Sequence, residues 1–388
     1  MQHAPLKRGL LRTVVFRLAP FAILFAWAGT AFALSGKTGI NHDAPAVKLP
    51  GNFLQLCPLE ERLFDDASDG RLDAFSLLDA ALVASGVERG DVLRHYAEQQ
   101  AELVDELWRS GKLTGSARHR AQVVFEFLHR RLLHAGYRLD CTDLRIALDE
   151  GRFNCVSASV LFNCLAAEVG LAVCGLEMPG HAMSRVLLSD GPLDVETTCS
   201  RWFCLLDDPQ RQAEVVEKTV GTNLSQDRST AREILPVQMA AMVYYNRGVD
   251  LLARRQFEQA AVVNAKAVQL DPSSTTARGN LLATINNWAI ALGSNGQYAT
   301  AAELLKRGFS VDPEYAPFEV NYVHVHHQWV EDLCGAGRFE EALAVLARAA
   351  AAKPGGQYFR QAPSDVYRRW ARTLEEAPGA AFTGRQPR

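Results

Sequence analysis

The chain has 388 residues, a formal net charge of -3, 48% hydrophobic residues and 22% charged residues. This length is enough for two or three domains with their own cores, and the hydrophobic share excludes a disordered or collagen-like chain. The near-neutral charge provides no electrostatic basis for binding nucleic acid. Eight cysteines are too few for a disulfide-stapled miniprotein, but their even number leaves a disulfide framework open.

The N-terminus has the pattern of an export signal. Four basic residues among the first 17 precede an apolar stretch over residues 18–34, which contains the small-x-small cleavage pattern Ala31-Phe32-Ala33. The stretch is short for a membrane-spanning helix. We therefore predict a cleaved signal peptide over residues 1–33, and the alternative is an uncleaved anchor that attaches the protein to the inner membrane through residues 18–34. Both predict a location outside the cytoplasm, in the periplasm.

Helical patterns follow a Pro-containing linker over residues 34–58. Apolar residues recur with helical spacing from Phe75 to Leu82 and again from Val123 to Leu133, which predicts helices with one buried face. Helix ends are predicted at Gly86, Gly111 and Gly136.

The pattern then changes to short β-like segments. They cover Val173 to Met178, His181 to Leu188 and Leu193 to Thr197, with Pro179-Gly180 and Asp190-Gly191-Pro192 between them. Helices that lead into a small antiparallel sheet indicate an α+β domain, which we assign to residues 59–204. The polar segment over residues 205–239 is predicted to be a linker with some helix.

The last third of the chain contains an internal repeat over residues 240–360. Three segments align on an alanine that is followed by a proline twelve residues later: Ala260 and Pro272, Ala301 and Pro313, Ala342 and Pro354. Successive copies are 41 residues apart, and an aromatic residue stands three positions before each alanine. Such a pattern predicts helical hairpins, because small residues let paired helices approach and proline ends the second helix.

This pattern resembles the tetratricopeptide repeat family. Its period of 41 exceeds the usual value of about 34, which predicts either longer helices or a longer loop in each copy. The resemblance implies an all-α solenoid that binds extended peptides or protein partners, and the alternative is a scaffold that only supports the preceding domain. Residues 361–388 are predicted to be a C-terminal tail.

The chemically informative residues precede the repeats. Asn154 is a good N-cap residue, and it predicts a helix from Cys155 to about Val169. The positive end of the helix dipole and the unpaired N–H groups stabilise a thiolate in the first turn. Cys155 is therefore a candidate nucleophile.

Two further residues complete a candidate triad. His181 begins one β-like segment and Asp194 lies on the next, which the turn at Asp190-Gly191-Pro192 places beside it. Asp194 would orient the imidazole, and the other ring nitrogen would take the proton of Cys155. Glu196 shares a strand face with Asp194 and is the alternative carboxylate, although we favour Asp194.

A cysteine that opens a helix, a Gly-His strand and an aspartate on the next strand resemble the transglutaminase-like superfamily. The resemblance covers residues 59–204 and implies its bacterial branch of papain-like α+β domains with a Cys-His-Asp triad. Carried over by motif, the triad is Cys155, His181 and Asp194. Many members have an aromatic residue where this chain has Met183. In place of the usual glutamine, Asn154 and the N–H of Cys155 are the candidate oxyanion donors.

The remaining motifs predict no cofactor and no metal. His324, His326 and His327 lack zinc-site spacing, and there is no phosphate-binding glycine loop or dinucleotide fingerprint. Cys164 and Cys174 are predicted to pack in the core, while Cys199 and Cys204 are candidates for a disulfide. If Cys155 stays reduced, seven cysteines remain and complete pairing is excluded.

Together these features predict an exported cysteine-dependent enzyme that acts on amide or isopeptide bonds through an acyl-thioester. Water is the favoured acceptor, which makes the enzyme a peptidase or amidase, and an amine acceptor would make it a transglutaminase. One alternative is a catalytically silent envelope adaptor that binds protein partners through the repeats. Another is a purely structural envelope protein.

Overall fold

The computed structural model describes residues 53–220, 231–352 and 356–376. The predicted export signal over residues 1–33 lies outside these ranges, as does the apolar stretch over residues 18–34. Within the described ranges, no helix combines the length and the apolar character needed to cross a bilayer.

The first part of the described chain is mainly helical. Its helices are α1 (Pro58–Asp66), α2 (Leu77–Ala84), α3 (Gly90–Arg109), α4 (Ala117–Arg131), α5 (Leu144–Glu150) and α6 (Cys155–Glu168). Every residue of α6 from 155 to 166 is buried, whereas α3 buries one stripe only. A helix that is buried on all sides is a core helix. The other elements of this part therefore pack around α6, and the N-terminus of α6 lies inside the fold.

Two sheets accompany these helices. Strands β1 (Gly136–Tyr137) and β2 (Arg152–Phe153) form a short parallel pair. The second sheet contains β3 (Val173–Met178), β4 (His181–Leu188), β5 (Gly191–Val195) and β6 (Arg232–Ile234). Its strand order is β5-β4-β3-β6 and each neighbouring pair is antiparallel. The three predicted strands and their antiparallel arrangement are confirmed, and α6 packs on β3 and β4.

The segment over residues 205–239, predicted to be a linker, is structured in its described part. It contains α7 (Pro209–Val220), the edge strand β6 and the start of α8 (Pro236–Ala253). The three residues of β6 pair with Gly175, Leu176 and Glu177 of β3. Three residues are too few to show a period of two, so this strand is recognisable only from its pairing.

The last part of the described chain is a series of helices compatible with an all-α solenoid. After α8 come α9 (Phe257–Leu270), α10 (Thr275–Ser294), α11 (Tyr298–Val311), α12 (Ala316–Gly335), α13 (Phe339–Ala352) and α14 (Gln357–Glu376). Each of these helices contacts the next one along the chain, and α8, α10, α12 and α14 also contact one another in that order. Helices of 14 residues alternate with helices of 20, so helix length accounts for the long period of the repeat. The repeated alanines at 260, 301 and 342 are fully buried at the helix contacts.

The first helices of the series are fixed to the α+β part. Helix α8 contacts α2, α6 and β3. The Lys266 ammonium on α9 lies 2.6 Å from both carboxylate oxygens of Glu60 on α1, and the Tyr244 hydroxyl donates to the same carboxylate. The Arg232 guanidinium contacts the carboxylates of Glu177 and Asp271 at 2.5 Å. These buried polar contacts connect the sheet with the first helical hairpin.

Candidate active site

Cys155 is the first residue of α6, as predicted. The Asn154 side-chain oxygen accepts the backbone N–H groups of Val156 and Ser157 at 3.0 Å, and the Ser157 hydroxyl accepts the backbone N–H of Asn154. This reciprocal capping box defines where the helix begins. The cap satisfies two of the N–H groups at the helix terminus, and the N–H of Cys155 is not among them.

Asn154 does not supply an oxyanion donor. Its side-chain nitrogen donates to the carbonyl oxygen of Leu139 at 3.2 Å and to the hydroxyl of Thr142 at 2.9 Å. An amide nitrogen has two hydrogens, so both are already used. The prediction of Asn154 as an oxyanion donor is therefore replaced by a structural role, which is to cap α6 and hold the preceding loop.

His181 is the first residue of β4 and pairs with Glu196. Its Nε2 lies 2.7 Å from Glu196 Oε2, and neither side chain is exposed to solvent. The other oxygen of Glu196 accepts from the Thr198 hydroxyl at 2.6 Å and from the Thr198 backbone N–H at 3.0 Å. Buried charged groups need such partners, and this carboxylate has three.

Asp194, which the sequence favoured as the carboxylate of the triad, lies elsewhere. In the antiparallel ladder it is opposite Arg185, and its carboxylate contacts the Arg185 guanidinium at 2.6 Å. Arg185 is four residues along β4 from His181, which is roughly 13 Å along an extended strand. Glu196 lies two residues beyond Asp194 toward His181 and makes the contact instead. The structure thus brings Cys155, His181 and Glu196 together and separates Asp194 from them.

The charge state of the His181–Glu196 pair follows from competing effects. Burial lowers the pKa of His181, but the Glu196 carboxylate and the Cys155 side chain outweigh it, so the pKa of His181 is raised. Burial alone would raise the pKa of Glu196, but the His181 ring and the Thr198 hydrogen bonds lower it. The pair is therefore an imidazolium and a carboxylate at neutral pH.

The second ring nitrogen of His181 is available for chemistry. Nδ1 is buried and has no hydrogen-bond partner among the described residues, and the Cys155 side chain is close enough to affect the pKa of the ring. A nucleophilic cysteine needs a neighbouring nitrogen that exchanges a proton with its sulfur. The arrangement of Cys155, Nδ1, Nε2 and Glu196 can perform that exchange.

Tyr137 is a residue at this site that sequence reasoning missed. It lies on β1 directly opposite Phe153, two residues before Cys155. Its hydroxyl is buried and has no hydrogen-bond partner among the described residues. Burial and the neighbouring Cys155 raise the pKa of Tyr137, so it stays a neutral phenol. A two-residue parallel strand leaves no periodic signal in the sequence, which explains why Tyr137 was not recognised.

A cleft of about 660 Å³ adjoins the Glu196 end of the pair. Met178 and Met183 line it near the site, where Met183 occupies the position at which the resemblance leads one to expect an aromatic residue. The rest of the wall is mixed. Its apolar part comes from Pro192, Leu193, Trp202, Leu206, Pro209, Ala213 and Val216, and its polar part from Arg118, Asp194, Asp207 and Gln212. A concave cleft that combines apolar walls with a few polar groups is the usual form of a small-ligand site.

The other cysteines and the histidine cluster do not form additional sites. All eight cysteines are free, including Cys199 and Cys204, the candidate disulfide pair. Burial raises the pKa of the Cys164 thiol and raises that of Cys174 to about 11, so both are poor nucleophiles. Among the described residues no group of three or more His, Cys, Asp or Glu side chains is arranged to hold a metal ion.

The sequence matches no protein-family model and no curated protein. Any statement about function therefore depends on the chemistry of Cys155, His181 and Glu196 and on the helical repeats.

Proposed function

We propose that this protein is an exported transglutaminase-like enzyme, in which Cys155, His181 and Glu196 cleave an amide or isopeptide bond through an acyl-thioester. The observation that supports it most is the buried His181 ring, whose Nε2 is held by Glu196, whose Nδ1 has no hydrogen-bond partner among the described residues, and whose pKa is raised by the nearby Cys155 side chain. Most buried polar side-chain atoms have a hydrogen-bond partner, so a buried ring nitrogen without one is a candidate for chemistry. Here one nitrogen remains for the thiol.

Hydrolysis is the favoured reaction, because water reaches a site on an exported protein without a dedicated binding pocket. The adjoining cleft, which offers both apolar and polar side chains, would hold the acyl part of a peptide or amide substrate. An amine acceptor requires its own pocket, so transamidation is the alternative outcome of the same acyl-enzyme chemistry.

The test compares two thiols in one molecule. Cys204 is an exposed cysteine and Cys155 is a buried one, so ordinary accessibility favours alkylation of Cys204. If Cys155 is activated by His181, iodoacetamide should modify Cys155 faster than Cys204 near neutral pH, as followed by peptide mass spectrometry. His181→Gln should slow the reaction at Cys155 and leave that at Cys204 unchanged.

A second cysteine on the same helix serves as a control for the reactivity of Cys155. Cys164 lies on α6 nine residues after Cys155 and is fully buried, so Cys164→Ala should not change the rate at Cys155. If Cys155 reacts more slowly than Cys204, or if His181→Gln has no effect, the catalytic proposal is wrong.

The second candidate function is binding of protein partners by the repeats, with or without catalysis. The observation that favours it is a set of large apolar side chains left exposed on the longer helices: Val249 on α8, Ile290 on α10, Val320 on α12 and Tyr367 on α14. Val249 and Ile290 occupy equivalent positions 41 residues apart. If the repeats bind a peptide, a partner captured by the wild type should be retained by Cys155→Ala and lost by Val249→Glu with Ile290→Glu.

A further inference from the structure

The proposed acyl transfer needs two donors for the oxygen that becomes negatively charged, and only one is evident so far. The N–H of Cys155 lies in the first turn of α6 and is not used by the Asn154 cap. The Asn154 amide is fully occupied by Leu139 and Thr142. A second donor must therefore come from another element next to Cys155.

We propose that the Tyr137 hydroxyl is this second oxyanion donor, an inference that rests on the proposed function. The backbone of β1 holds Tyr137 opposite Phe153, and the Arg138 N–H donates to the Phe153 carbonyl at 2.8 Å, which brings Tyr137 close to the start of α6. Its ring packs edge-to-face on Phe153 with centroids 6.1 Å apart, which places the ring beside the residue two positions before Cys155.

The state of the hydroxyl fits this role. It is buried beside Cys155 and meets hydrogen-bond geometry with none of the described residues, which is a destabilising state for a buried hydroxyl. Burial and the adjacent Cys155 keep the pKa of Tyr137 above its ordinary value, so the group is a donor rather than a phenolate. A donor that is preorganised and unpaired in the resting protein gains its partner only when the oxyanion forms.

The chemical steps balance with water as the only co-reactant. Cys155 Sγ, as the thiolate whose proton is on His181 Nδ1, forms a bond to the amide carbon. The C=O π electrons move to the oxygen, to which the Tyr137 O–H and the Cys155 N–H donate. The tetrahedral species collapses as the C–N bond breaks, and the amine leaves with the proton from His181 Nδ1. Water then gives a proton to Nδ1 and its oxygen to the acyl carbon, and the C–S bond breaks to release the acid and the thiolate.

Two probes separate an oxyanion donor from any other role of the hydroxyl. Acylation of Cys155 by p-nitrophenyl acetate passes through a tetrahedral oxyanion, whereas alkylation by iodoacetamide displaces iodide and forms none. Both rates are measured at Cys155 by peptide mass spectrometry on the intact, full-length protein. Tyr137→Phe should lower the acylation rate by about 100-fold or more and leave the alkylation rate unchanged.

The matched control is Tyr322→Phe, which removes another buried hydroxyl without a described partner, on α12. It should change neither rate. If Tyr137→Phe lowers both rates by the same factor, the hydroxyl acts on the sulfur and the inference is wrong, and an unchanged acylation rate also overturns it. If wild-type Cys155 is alkylated but never acylated, the proposed function itself fails, and the inference fails with it.

Discussion

At the residue scale, the pairing of β4 with β5 determines which carboxylate contacts His181. The helix start at Cys155 follows from a local signal, the Asn154 cap, and the His181 strand follows from the preceding Pro-Gly turn. The choice between Asp194 and Glu196 depends on how β4 and β5 are paired, and both residues share one strand face in the sequence pattern. Only the observed register, with Arg185 opposite Asp194, assigns Glu196 to His181.

Substitutions of Glu196 and Asp194 therefore form a matched pair of variants. Glu196→Gln removes the group that orients His181 and stabilises its charge, and we expect a loss of about 10²-fold to 10⁴-fold in acylation of Cys155 by p-nitrophenyl acetate. Asp194→Asn changes a carboxylate that contacts Arg185 rather than His181, so it should leave the acylation rate close to that of the wild type. The opposite ranking of the two variants would restore Asp194 to the triad.

The same pair predicts a pH dependence of stability. The pKa of His181 is raised in the folded protein. Its contribution to the free energy of unfolding is therefore complete below its ordinary pKa of 6.5 and is lost as the pH rises through the raised pKa of the folded protein. The pKa of Glu196 is lowered in the folded protein. Its contribution to the free energy of unfolding is therefore complete above its ordinary pKa of 4.5 and is lost as the pH falls through the lowered pKa of the folded protein. Removal of one partner of a buried ion pair costs about 3–5 kcal/mol.

Glu196→Gln should therefore reduce the free energy of unfolding most between pH 4.5 and 6.5. Urea denaturation of the wild type and the variant over a range of pH values measures this difference. A difference that stays constant with pH would show that His181 is not charged in the folded protein.

At the element scale, the repeat pattern predicted the helical hairpins because each signal was local to its helix. The small residue at Gly308 illustrates the physical reason. A methyl group added there would lie 2.6 Å from the ring of Phe318, which is fully buried on α12. The short strands β1 and β6 carry no comparable local signal, and they form only because tertiary packing supplies a partner.

This contact gives a prediction with a matched control. Gly308→Ala should lower the free energy of unfolding by about 1–3 kcal/mol, because the added methyl group overpacks the contact of α11 with Phe318. Gly279 on α10 has no atom within 4 Å of such a methyl group, so Gly279→Ala should raise stability by about 0.5–1 kcal/mol. Thermal and urea denaturation measure the change in the free energy of unfolding for both variants. Equal changes would contradict the close approach of Gly308 to Phe318.

At the scale of the whole molecule, the α+β part and the first helical hairpin share a buried ion pair. Lys266 and Glu60 are each exposed by less than a tenth of their side-chain area and come from positions 206 residues apart in the chain. Lys266→Met would leave the Glu60 carboxylate with the Tyr244 hydroxyl and the Cys57 backbone N–H but without a positive charge beside it, at an expected cost of about 3–5 kcal/mol. Glu60→Gln added to the same variant should recover much of this loss.

Hydrogen exchange shows whether the loss of stability in Lys266→Met affects both the α+β part and the first helical hairpin. In Lys266→Met the amides of α1 and α9 should both exchange faster, because the ion pair connects these two helices. The matched control is Lys306→Met, which removes an exposed i,i+3 contact with Glu303 and should change stability by at most about 1 kcal/mol. Faster exchange confined to α9 would show that the two parts are not energetically coupled.

The edge strand β6 affects where this chain can be divided. A polypeptide that stops at residue 204 keeps Cys155, His181 and Glu196 but lacks Arg232, Tyr245 and β6 itself. One side of β3 would then present unpaired N–H and C=O groups, and the Glu177 carboxylate would lose its Arg232 and Tyr245 contacts. An open edge of this kind pairs readily with another copy. The shortest soluble fragment with an intact sheet should therefore extend through α9, and shorter fragments should self-associate.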